Sequence, residues 1–141
     1  MRISTTVILM GLASFILMFA ACGRSSPSTN ERIIKSTRSG DITISLSNAS
    51  GEIKSGENDL TLSFTDASGK PVDVPAASLK FHMPAMGAMA EMNDAAMLTT
   101  TDTPGRFMAR VNIEVGGSWE AMISFQGSRG TENAAMSVNA K

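Results

Sequence analysis

The sequence predicts an all-β domain, a sandwich of two sheets with about seven or eight short strands, standing behind an export segment. Three observations carry this. Apolar and polar residues alternate in short runs, the period of a half-buried strand. Gly, Pro, Asn and Asp punctuate the runs where turns need special backbone angles. No helical stretch follows the leader.

The leader comes first. Met1-Arg2 gives a short positive start, and Val7 to Ala21 is apolar. That run is short for a hydrocarbon core of about 30 Å but suits a signal-peptide core. It ends in Phe19-Ala20-Ala21-Cys22-Gly23. Small residues before a lone cysteine resemble the bacterial lipobox, with Phe19 departing from the usual aliphatic residue. Residues 1–21 are therefore expected to be a lipoprotein signal peptide, and Cys22 the lipidated first residue of the mature chain. Two or three fatty chains, of the palmitate kind, anchor a protein stably at about 0.8 kcal/mol per buried CH2. Residues 22–39 begin polar and core-poor, the composition of a flexible tether. Gly23 stands where an Asp would signal inner-membrane retention. The resemblance therefore implies the periplasmic side of an outer membrane, if the organism has one.

The domain is expected over residues 40–141. Ile42, Ile44 and Leu46 alternate with Thr43, Ser45 and Ser47 as one strand. Asn48-Ala-Ser-Gly51 and Lys54-Ser-Gly-Glu-Asn58 read as turns. Leu60, Leu62 and Phe64 form the next apolar face, followed by the turn Asp66-Ala-Ser-Gly-Lys-Pro71. Val72 to Val74 reads as a short edge strand ended by Pro75. Leu79, Phe81 and Met83 mark another strand, and Ala96 to Thr101 one more. Pro104-Gly105 reads as a turn before the longest expected strand, Phe107 to Val115. Gly116-Gly117 then predicts a hairpin into Trp119, Ala121, Ile123 and Phe125. Gly127 to Thr131 is a loop, and Met136 with Val138 closes the chain. This succession fits a sandwich of immunoglobulin type.

Composition narrows function. The net charge of −1, with basic residues scattered singly, excludes a nucleic-acid footprint. One cysteine permits no internal disulfide. Tyr is absent, and Trp and His occur once each, so catalytic side chains are scarce. His82 has no neighbouring Ser or Cys nucleophile, and an enzyme is not expected. Methionine is plentiful: of 11, five fall between Met83 and Met97.

The segment Phe81-His82-Met83-Pro84-Ala85-Met86-Gly87-Ala88-Met89-Ala90-Glu91-Met92 holds the evident chemistry. Thioether sulfur is soft and suits Cu(I), and imidazole suits either copper oxidation state. Methionine has no proton to lose and stays a ligand where cysteine would be oxidised. His82, Met86, Met89 and Met92 are the candidate metal ligands, with Met97 in reserve and copper the expected metal. Packing is the competing reading, because methionine fills irregular core gaps. Met83 continues the Leu79 and Phe81 face and is assigned to the core.

Ser55-Gly-Glu-Asn58, Asp66-Ala-Ser-Gly-Lys-Pro71, Met83-Pro84-Ala85-Met86-Gly87, Pro104-Gly105-Arg106-Phe107 and Gly117-Ser118-Trp119 occur in that order. From about Gly40 to Lys141 the chain resembles the YtkA-like domain family, with Phe107 where a tyrosine is common. The resemblance implies an immunoglobulin-like sandwich and an extracytoplasmic accessory role, without catalytic residues. It also implies lipoproteins or neighbours of heavy-metal efflux components, and so a metal-efflux or envelope protein as partner. Pro84, Pro104, Gly105, Gly117 and Trp119 are expected to serve structure. Two functions stay open: a membrane-anchored metal-binding module, and an interaction module whose methionine loop docks on a partner protein.

Overall fold

A computed structural model describes residues 30–141. The expected signal peptide, Cys22 and the start of the expected tether lie outside the described residues. Nine strands and no helix occur among the described residues: β1 Arg32–Ser39, β2 Ile42–Asn48, β3 Gly56–Thr65, β4 Ala77–Met83, β5 Met92–Ala95, β6 Met97–Thr100, β7 Arg106–Ile113, β8 Gly117–Gly127 and β9 Gly130–Ala140. All pairings between strands are antiparallel, giving a five-stranded sheet β1-β2-β3-β7-β6 and a four-stranded sheet β5-β4-β8-β9.

Alternation decides which faces meet. Ile44, Leu46, Leu60, Leu62, Phe64, Phe107, Val111 and Ile113 point inward from the first sheet. Leu79, Phe81, Met83, Trp119, Ile123, Phe125, Met136 and Val138 answer from the second. Phe64 joins the layers: its ring lies 6.0 Å from Phe107 edge-on and 5.0 Å from Phe125. Each such buried side chain contributes about 1.5–3 kcal/mol by leaving water. Trp119 is 2 % exposed, and its Nε1 donates to the Val115 carbonyl at 3.1 Å, so the indole is buried without an orphaned donor.

Four expectations change. First, the fold begins earlier than Gly40. β1 runs through residues assigned to the tether and adds an edge to β2. Its register shifts between Ile33 and Lys35, and Ile34 packs on the core while Ile33 is exposed. Glu31 fastens the start: its carboxylate accepts from Arg106 at 2.6 Å, Thr61 at 2.7 Å and Ser47 at 3.2 Å. Charge-assisted bonds of this kind are about twice as strong as neutral ones.

Second, Gly116-Gly117 is no hairpin turn. β7 pairs with β3 and β6, whereas β8 pairs with β4 and β9. The chain changes sheets there. The tight hairpin is β8–β9, where Gly127 and Gly130 pair around Ser128-Arg129. Those two strands, at 11 residues each, are the longest. Third, residues 72–74 form no strand, although Val74 is buried. Fourth, the strand expected over Ala96 to Thr101 is β6, but an unexpected strand, β5, precedes it within the methionine segment. β5 belongs to one sheet and β6 to the other, and at Ala96 between them the backbone N–H still bonds to Leu79 O at 2.9 Å.

One end of the sandwich gathers the features that matter here. Arg32 pairs with Asn48 at the end of β2, and Gly56 with Ile113 at the end of β7. Ile53 bridges Ala140, and the last residue is stitched on by Lys141 N to Ile53 O at 2.9 Å and Ser55 N to Lys141 O at 2.8 Å. β4 ends at this same pole, beside the start of β8. The methionine segment therefore projects where β1 enters the fold.

Candidate functional site

β4 and β5 form a ribbon in which His82 faces Asn93 and Met83 faces Met92. Pro84 follows and cannot donate to a ladder. Pro84 to Glu91 is exposed throughout. At the tip the pairing resumes, as Met86 N donates to Met89 O at 3.1 Å and Met89 N to Met86 O at 2.9 Å. The turn residues between them are Gly87 and Ala88. Gly87 has φ +58°, the left-handed region that favours glycine in two-residue hairpins. Residues directly opposite in an antiparallel pair project on one face with Cβ atoms about 4.5–5.5 Å apart. Two exposed thioethers therefore stand side by side on a tip whose backbone groups are already paired.

The other candidates lie elsewhere. Met92 is half-buried and packs against the core beside Met83. It turns inward, away from the tip pair. Met83 is 3 % exposed, and a Cβ on Gly117 (φ +137°) would come within 3.0 Å of its Cε. That contact gives both residues a packing role. His82 stays in the sheet, on the face opposite Phe81 and Met83, between Asn93 and Glu120 in the ladder. Its Nδ1 meets Asn93 Oδ1 at 3.0 Å. An amide oxygen only accepts, so in the neutral ring this bond puts the proton on Nδ1 and leaves the Nε2 lone pair free. The segment thus divides into a tip pair, a sheet imidazole and a core pair. Met97, at 74 % exposure, lies on β6 in the other sheet.

Among the described residues, no three His, Cys, Asp or Glu side chains gather where they could hold a metal ion.

Sequence reasoning passed over two exposed methionines. Met108 lies on β7 between inward-facing Phe107 and Ala109, and Met122 on β8 between Ala121 and Ile123. Their outward parity was the available signal. Met97 and Met108 line a hollow of about 270 Å³ beside the Asp59–Arg110 ion pair, whose Nε–Oδ1 distance is 2.9 Å. That pair raises the arginine's pKa, first through the hydrogen bond to Asp59. Met122 lines another hollow, about 530 Å³, with Ser78, Lys80, Ser124 and Asn133. Neither hollow holds a nucleophile paired with a base.

At the opposite pole, Gly105 has φ +69°, and an added Cβ would fall 1.8 Å from Val72 O. Gly105 O accepts from Phe64 N at 2.8 Å. Pro104-Gly105 thus fixes the loop over the core, a packing role like that of Trp119.

The sequence model of a family described as YtkA-like matches residues 37–124, from within β1 to within β8. The chain belongs to the YtkA-like family. No curated protein and no solved structure matches it. Within this YtkA-like domain, the matched span contains the methionine ribbon, Gly105 and Trp119, and ends before β9.

Proposed function

We propose that this YtkA-like protein is a non-catalytic, extracytoplasmic lipoprotein whose methionine hairpin binds a soft metal ion, copper as Cu(I), as an accessory to metal handling. The observation that carries the reading is the reciprocal pairing of Met86 with Met89, which sets two exposed sulfur atoms on one face of a closed turn. Thioether sulfur prefers Cu(I) over harder ions and binds without releasing a proton. His82, the one imidazole in the chain, stays in the sheet apart from the tip pair and is not counted among its donors. Met92 contributes to packing instead.

The anchor reading rests on the apolar leader ending at the lone Cys22. From Cys22 to Glu31 the chain can reach at most about 30 Å, which keeps the hairpin pole near the membrane surface. Labelling of cells with a fatty-acid analogue checks it. Incorporation should vanish in Cys22→Ser, and persistent labelling would sink the anchor.

The sandwich carries its own core, so a chain starting at Asn30 serves for the metal test. Anaerobic Cu(I) titration against a competing chelator should give binding tighter than micromolar. Met86→Leu with Met89→Leu should weaken it at least about tenfold, equivalent to about 1.4 kcal/mol, without unfolding the protein. Micromolar or weaker binding, or no change in the double variant, would refute the metal reading. The exposed run Pro84 to Ala90 carries no charge, which also suits docking on an efflux or envelope protein. Partner capture lost on the same substitutions, with no copper binding, would favour that second reading.

A further inference from the structure

Six large apolar side chains are exposed in the described domain, and five are methionines: Met86, Met89, Met97, Met108 and Met122, with Ile33 the sixth. The contrast is with every other large apolar residue type. Of the domain's 22 Val, Leu, Ile, Phe and Trp residues only Ile33 is exposed, against five of its eight methionines. Singly scattered surface hydrophobes are ordinary in themselves. Here they share one functional group.

The five do not converge. Met86 and Met89 occupy the hairpin tip, Met97 and Met108 the outer face of the five-stranded sheet, and Met122 the outer face of the other. One metal ion or one docking surface cannot use them all. A reaction that each sulfur undergoes alone can.

Among the described residues the other readily oxidised sulfur and aromatic groups are more sheltered, with Met92 and His82 half-buried. Tyr is absent, Trp119 is 2 % exposed, and the core methionines Met83 and Met136 are 5 % exposed or less. Thioether oxidation gives a sulfoxide that reductases restore, and a sulfoxide disrupts cores and methionine-rich interfaces rather than an isolated exposed position. We infer that the exposed methionines form a repairable shell that consumes hypohalous acid before it reaches the core.

The step balances without a further reactant. The sulfur attacks the chlorine of hypochlorous acid, forming S–Cl as O–Cl breaks. Water then adds to sulfur as chloride leaves and protons pass to solvent. The net change is one sulfoxide, one chloride and one proton, with sulfur losing two electrons and chlorine gaining them. This does not depend on the copper reading, since Met97, Met108 and Met122 stand outside that site.

The test is titration of the chain starting at Asn30, which lacks Cys22, with hypochlorous acid, with sites read by peptide mass spectrometry. The five should gain oxygen at least about tenfold faster than Met83 and Met136. The strand signal in circular dichroism should persist, and methionine sulfoxide reductases of both stereospecificities should reverse the change. A variant with leucine at all five positions should lose the fast phase of oxidant consumption. Equal rates at core and surface, unfolding once the five are oxidised, or a fast phase retained in that variant would each overturn the proposal.

Discussion

The two poles of the sandwich solve the same problem, turning the chain, with opposite chemistry. At one pole the Asp66–Pro71 turn adds side-chain bonds to its backbone closure, in which Asp66 N donates to Lys70 O at 2.9 Å and Gly69 N to Asp66 O at 3.0 Å. Asp66 Oδ1 accepts from Ser68 N at 2.8 Å, Ser68 Oγ at 2.6 Å and Lys70 N at 3.0 Å. These bonds, Ser68's hydroxyl first, lower the Asp66 pKa. The neighbouring loop is pinned through Gly105. At the other pole the Met86–Met89 turn uses only its own backbone for closure. The first turn spends its polar groups on holding the loop in place. The second satisfies its backbone internally, leaving two sulfur atoms with nothing structural to do.

The same substitution in both loops would sharpen this contrast. Gly105→Ala forces a Cβ into the Val72 carbonyl, 1.8 Å away, at a positive φ. It should cost about 3 kcal/mol or more, read as a lowered urea midpoint. Gly87→Ala meets open space, with nothing within 4 Å. Only the left-handed backbone penalty remains, about 1 kcal/mol. Equal losses at the two sites would break the comparison.

Much of this was legible in the sequence, and the misses have physical causes. Strict alternation around Phe64, Phe81 and Phe107 exposed the core face of each strand, because period two admits a single inward set. β1 escaped because its bulge and charged residues hide Ile34, its apolar residue packed on the core. The Gly116-Gly117 error arose because a glycine pair signals a turn but not the sheet in which the next strand pairs. That choice is set by long-range partners, β3 for β7 and β4 for β8.

At the candidate site, residue chemistry grouped His82, Met86, Met89 and Met92 as one ligand set. Ladder register instead placed Met92 opposite Met83 and turned it to the core. The Met86–Met89 pairing depends on a two-residue turn at Gly87-Ala88, which a grouping by ligand type does not reveal. Glu31 was equally hidden, since its partners Ser47, Thr61 and Arg106 are remote in the chain.

The methionine methyl resonances during anaerobic Cu(I) titration test the central claim most directly. All eight methionines of the domain report individually. The Met86 and Met89 methyls should move together and saturate at one ion per chain, while those of Met97, Met108, Met122 and the core residues stay in place. Movement of Met97, Met108 or Met122 at the same copper level, or none at Met86 and Met89, would contradict the account.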